Sequence, residues 1–146
     1  MTIWAMATLD EGRQVIGDAR STLARNAAEL ACRRALAQCG YAGKLPRILN
    51  AGIVGYTYYG DRYPELWLAS GKRLKPHQFS SSVLNSVIGH CTLEFGLIGP
   101  QILLTRGSPT EIAALQLSMG RSRLMLVCTH DQPAIVEVAI LRRDEL

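Results

Sequence analysis

Alternating helix and strand signals predict an α/β fold, with a mixed five-stranded sheet and helices on its faces. Three observations carry that prediction. Apolar residues recur at helical spacing three times, each time behind a serine able to cap the first turn. Short runs rich in Ile, Leu and Val stand between those helices, where right-handed crossovers would align them as strands. Two runs near the C-terminus, separated by Asp131-Gln132-Pro133, predict a final hairpin that adds an antiparallel edge.

The opening Thr2 to Leu9 sets Ile3, Met6 and Ala7 around Trp4 and predicts a first strand, ahead of the turn-like Asp10-Glu11-Gly12. From Ser21 to Gln38, Leu23, Ala27, Leu30, Ala31 and Leu36 define a helix that Ser21 caps and Gly40 follows. Gly and Pro make 42–47 a loop. Ile48 to Thr57 then reads as a buried strand whose Ala51, Gly52 and Gly55 let neighbours approach closely. Gly60 to Phe79, rich in Pro, Gly and charge, is the longest irregular stretch. Ser80, Ser81 and Ser82 are candidate caps for a helix with the stripe Val83, Val87, Cys91 and Phe95, which Gly96 stops. Gly99-Pro100 opens the strand Gln101 to Thr105, whose run Ile102-Leu103-Leu104 suits burial on both faces. Ser108-Pro109-Thr110-Glu111 combines a capping Ser, Pro at the first helical position and Glu at the third, before an apolar face of Ile112, Leu115 and Met119. Gly120 ends that helix. Leu124 to Thr129 and Ala134 to Leu141 are the last two strands.

The 146 residues suit one domain. No apolar run approaches the roughly 18 to 20 residues of a membrane span, and the start lacks the pattern of a signal peptide. The expected setting is therefore cytoplasmic, with no membrane as partner. The net charge is +4, but only Arg33-Arg34 and Lys72-Arg73-Lys75 cluster, and two Phe without a basic-aromatic repeat argue against nucleic acid. Cys32, Cys39, Cys91 and Cys128 form no CxxC pair and no metal-knuckle spacing, so buried free thiols are expected, with no disulfide, metal or cofactor. A mean hydropathy of +0.09 with so few aromatic residues leaves apolar surface for a partner.

The order of pieces is more specific than any one of them. Phe79 and Asn85 precede Phe95-Gly96-Leu97-Ile98-Gly99-Pro100; then come a strand, a tight turn into the apolar helix Ile112 to Leu117, Gly120-Arg121, and a strand ending in Thr129-His130-Asp131. This succession resembles the amino-terminal half of a β-ketoacyl synthase, the condensing enzyme of fatty-acid and polyketide assembly, which has the thiolase fold. Upstream, Ala27 to Gly40 is similar to that family's first helix and Ala51 to Thr57 to its second strand. The likeness runs over about the whole chain and is closest to short, divergent ketosynthase-like amino-terminal domains. It implies a single thiolase-like half fold over residues 1–146.

Two departures from the family shape the functional expectation. An active ketosynthase carries a nucleophilic cysteine at the start of the buried helix, where the helix end favours the thiolate. That place is taken here by Ser108. The family's two decarboxylating histidines lie in its carboxy-terminal half, and His77, His90 and His130 sit in no equivalent motif. The resemblance therefore implies a non-catalytic partner subunit, like a chain-length factor, in fatty-acid or polyketide biosynthesis. The alternative is a small acyltransferase or hydrolase that uses Ser108 with a base supplied by a partner. A third reading is a self-associating scaffold with no acyl ligand.

Ser108 is better explained as a helix cap, worth about 0.5–2 kcal/mol, because Pro109 and Glu111 complete that motif without further assumptions. Cys91 and Cys128 lie in apolar stretches that favour buried thiols over nucleophiles, and Cys128 with His130 makes only two ligands of a metal site. Lys72, Arg73 and Lys75 could dock an acidic acyl carrier protein, against the simpler reading of a solvated loop. In the ketosynthase family, the strand matching Gln101, Ile102, Leu103, Leu104 and Thr105 lies at the sheet edge and pairs across a dimer axis. These residues are thus expected at the interface of a homodimer, or of a heterodimer with a ketosynthase.

Overall fold

A computed structural model describes residues 2–10, 23–57, 86–132 and 135–143. Ser21, Ser80 to Ser82, His77 and the Lys72, Arg73 and Lys75 cluster lie outside the described residues. Strands β1 (Thr2–Asp10), β2 (Gly52–Thr57), β3 (Gln101–Leu104), β4 (Leu124–Gln132) and β5 (Ile135–Arg142) form one mixed sheet in the order β1-β5-β4-β2-β3. β2 runs parallel to β3 and β4, whereas β5 is antiparallel to β1 and β4. Helices α1 (Leu23–Gln38) and α2 (Ser86–Phe95) cover one face, and α3 (Pro109–Ser118) lies on the other.

Period-two alternation in the strands divides the core between those faces. Leu124, Leu126 and Cys128 of β4 join Val136, Val138 and Ile140 of β5 and Ile53 of β2 under α1 and α2. Met125, Val127, Leu141 and Val54 point the other way and meet Ala113 and Leu117 of α3. Helix α1 turns Ala28, Ala31, Cys32, Ala35 and Leu36 inward, and the small ones, Ala28, Ala31, Cys32 and Ala35, let its backbone sit close to the sheet. Leu30, expected on that buried stripe, is 40% exposed. Val87, Ile88, Cys91 and Phe95 do the same for α2. Among the described residues no helix is long and apolar enough to cross a membrane.

Gly55 explains how α2 reaches the sheet. A Cβ there would overlap the Cγ2 methyl of Ile88 and sit 3.3 Å from Leu103 Cδ1, so the bare strand backbone is the seat for Ile88. At the opposite end of β2, Ile53 N–H donates to the Pro100 carbonyl at 2.8 Å and Gly99 N–H to the Ala51 carbonyl at 2.8 Å. These bonds lead α2 through its terminal turn directly into β3.

Several boundaries differ from the sequence expectation. Arg47–Leu49 is a turn of 3-10 helix rather than strand, and Ile48 is 71% exposed. Pro46 precedes the turn, and Asn50 closes it in the left-handed region at φ 46°, with its side-chain amide donating to the Arg121 carbonyl. Arg123 N–H then donates to the Leu49 carbonyl at 3.0 Å, fixing the approach to β4. The strands of the final hairpin reach further than expected, β4 to Gln132 and β5 to Arg142, and β1 runs on to Asp10. Strand β5 is not an edge, because β1 pairs along its outer side over Thr2↔Arg142 to Asp10↔Ile135. The edges lie instead at β1 and β3. In β3, Ile102, Leu103 and Leu104 are half-buried, not buried on both faces as their apolar run suggested.

Candidate functional site

The unusual surface of this chain is built by β3 and α3. Strand β3 pairs with β2 over Ile53↔Gln101 to Tyr56↔Leu104, and among the described residues its outer side has no strand partner. Ile102 and Leu104 pack on the α3 side of the sheet, and Leu103 on the α1 and α2 side. All three stay half-buried, and Gln101 is exposed. Thr105, expected in the same strand, is exposed just beyond its end.

Helix α3 begins where the sequence places it. Ser108 adopts an extended conformation and its Oγ accepts a hydrogen bond from Glu111 N–H at 3.2 Å, with Pro109 as the first helical residue. The face this helix turns to the sheet is a surprise. Ala113, Gln116 and Leu117 are buried, whereas Leu115 and Met119 of the expected core stripe are 49% and 51% exposed. Ile112 is half-buried. The helix thus has an apolar inner side, on Ala113 and Leu117, and a second apolar side facing away. Gln116 is the polar residue of the inner side, and its Oε1 is buried without a hydrogen-bond partner.

The cysteines are free thiols, and Cys32, Cys91 and Cys128 are buried between α1, α2 and β4. Cys32 Sγ lies 4.0 Å from Cys91 Sγ. The hydrogen bond to Cys91 and burial push the Cys32 thiol well above its ordinary range, and burial does the same to Cys128. Thiols held protonated in this way are poor nucleophiles. Cys39 is half-buried; burial raises its pKa and the nearby Arg142 guanidinium opposes part of that rise.

A small apolar cleft of about 10 Å³ lies where the C-terminal end of β2 and the middle of β4 meet α2, lined by Gly55, Tyr56, Thr57, Val87, Ile88, Leu103 and Cys128. It is far below the several hundred Å³ of a small-molecule site. A separate polar cluster joins the outer sides of α1 and α2. Arg33 contacts Glu94 at 3.1 Å and Glu29 at 3.5 Å, while His90 Nε2 lies 3.4 Å from Glu29 Oε1. Arg33 also stacks over the Phe95 ring, 5.3 Å from its centroid. Sequence spacing gave no sign of this group beyond the i, i+4 pairs on each helix. His130 lies in β4, and its side chain falls outside the described residues.

No protein-family model matches the chain, and no curated protein does. Solved structures do match in fold. A chain of the ketosynthase ApeO in complex with its chain length factor ApeC, from Xenorhabdus doucetiae, is similar over 98% of this chain and 79% of its own, with a TM-score of 0.65 and 14% identity. A chain of AntDE:AntF, a type II polyketide synthase acyl-carrier protein in complex with its ketosynthase bound to the hexaketide, is similar over 97% of this chain with a TM-score of 0.68 and 10% identity. This chain spans 62% of that second counterpart. The fold is therefore a mixed α/β arrangement similar to that of ketosynthase complexes.

Proposed function

We propose that this chain is a non-catalytic subunit of ketosynthase fold that works as a chain-length-factor-like partner of a ketosynthase in polyketide or fatty-acid biosynthesis. The observation that carries this reading is α3, apolar toward the sheet at Ala113 and Leu117 and apolar away from it at Leu115 and Met119. A helix apolar on both sides is built to lie between two layers. Covering Leu115 and Met119, each about half exposed, would contribute roughly 0.7–1.5 kcal/mol apiece. The open edge at β3 belongs to the same sheet and offers backbone groups to a partner.

The fold likeness supports the kind of partner. One similar chain comes from a ketosynthase with its chain length factor, and this chain spans 79% of it, so the counterpart is of comparable size. Under this reading Ser108 is a cap and not a nucleophile, which agrees with the lone pair it gives to Glu111 N–H. A carrier protein would dock through Lys72, Arg73 and Lys75, and raising the salt concentration would weaken that contact.

The test is co-expression with a ketosynthase from the same source, followed by size-exclusion chromatography with light scattering. The wild-type chain is expected to co-elute with the synthase. Leu115→Lys together with Met119→Lys, both outward-facing, should release it while leaving the circular dichroism spectrum unchanged. A chain that stays monomeric beside the synthase, or a complex indifferent to both lysines, would count against the proposal. A homodimer dissociated by the same pair would keep the surface and replace the partner.

A further inference from the structure

We infer that Glu29, His90 and Glu94 form a binding site for a divalent transition-metal cation of the Zn²⁺ type, clipping α1 to α2. The inference is independent of the ketosynthase reading. One donor comes from α1 and two, at i and i+4, from α2, and the three ligand atoms lie within 4.8 Å of one another. A neutral imidazole with two carboxylates is a donor set that Zn²⁺ accepts at about 2.0–2.2 Å, which separates tetrahedral ligands by about 3.3 Å. Glu29 Oε1 and His90 Nε2 already stand 3.4 Å apart. Glu94 has the least buried side chain of the three ligands, 41% exposed, and can close the remaining gap by a rotamer change.

Two further observations point to a ligand at this place. His90 Nε2 is shielded from solvent yet makes no hydrogen bond, which leaves an imidazole lone pair, or its proton, unmatched. The Glu29 oxygen 3.4 Å from it also faces the Arg33 guanidinium. Arg33 holds both carboxylates and so stands in for the cation. With Arg33 charged and His90 neutral the group still carries one net negative charge, which a divalent ion would more than balance. Because Arg33 also rests on the Phe95 ring, it has a second contact to keep when the carboxylates turn to a metal. Water would complete the shell from the exposed Glu94 side, as in an open coordination shell and not a closed structural one.

Isothermal titration of Zn²⁺ into the full chain, free of any polyhistidine tag and stripped with EDTA, tests the assignment. One saturable site is expected, together with a rise in melting temperature that EDTA reverses. His90→Ala and Glu94→Gln should each weaken binding at least about tenfold, whereas His77→Ala and His130→Ala should not change it. Arg33→Gln should tighten binding, because it removes the competing guanidinium. Cobalt substitution should give visible d–d bands without the near-ultraviolet charge-transfer band of a thiolate ligand. Absence of binding, binding that survives both His90→Ala and Glu94→Gln, or a cobalt–thiolate band would overturn the site. Glu94→Gln alters an exposed side chain and serves as the decisive variant should His90→Ala fail to fold.

Discussion

Replacing Gly55 with Ala is expected to destabilise the chain through one contact that can be isolated. The new Cβ would overlap Ile88 Cγ2, and Ile88 cannot swing away: it is 6% exposed, and a β-branched side chain on a helix has essentially one χ1 rotamer. Overpacking of this kind costs about 1–3 kcal/mol. Against it stands about 0.5–1 kcal/mol gained by removing a strand glycine. The net loss should be about 1–2 kcal/mol, or several degrees in melting temperature at about 2–4 °C per kcal/mol. Urea unfolding of a double-mutant cycle separates the two parts. Ile88→Ala removes the methyl that clashes and costs about 2–5 kcal/mol by itself. In that background Gly55→Ala should be neutral or stabilising. The glycine entropy cancels around the cycle, so the coupling energy equals the steric part, about 1–3 kcal/mol. A neutral Gly55→Ala, or a loss that persists undiminished beside Ala at 88, would refute the account of how α2 seats on β2.

Two other perturbations follow from the described contacts. Ser108→Ala should lower stability by about 0.5–2 kcal/mol in urea unfolding and Ser108→Asp should largely restore it, while intact mass after incubation with acyl-carrier-bound substrate shows no adduct in any of the three; an acyl adduct on the wild type alone would reverse the assignment of this serine. The thiols predict an alkaline limit: with the folded pKa values of Cys32 and Cys128 raised, their contribution is whole below the ordinary thiol value of about 8–9 and is lost as pH rises from there toward the folded values, because the unfolded chain gives up protons that the folded one keeps. Urea midpoints measured on both sides of that value should fall at the alkaline end, and alkylation under native conditions should reach Cys39 before the three buried thiols.

Element type was readable from the sequence because caps and spacing act locally. Ser108, Pro109 and Glu111 located the start of α3 to the residue. Which side of a helix faces inward is decided elsewhere, and α3 shows why: Ile112, Leu115 and Met119 look like a core stripe, but Leu115 and Met119 face outward, Ile112 sits at the margin, and the sheet accepts Ala113, Gln116 and Leu117. When both sides of a helix are apolar, periodicity cannot choose between them. The run Leu124 to Cys128 hides its alternation for the same reason, since both of its faces are buried. Asn50 was missed because its left-handed turn depends on the Arg121 carbonyl, 71 residues away. The group formed by Glu29, His90 and Glu94 exists only once α1 and α2 are side by side.

The shortness of β3 limits what its open edge can do. Four residues offer few outward backbone groups, so a stray strand that pairs there gains little and leaves readily. Lasting attachment needs further apolar contacts, such as the outward Leu115 and Met119 of α3, and those reward only a surface shaped to receive them. On the proposed partner reading, the edge alone is too short to hold a second chain, and what stays bound is decided by the side chains that meet it.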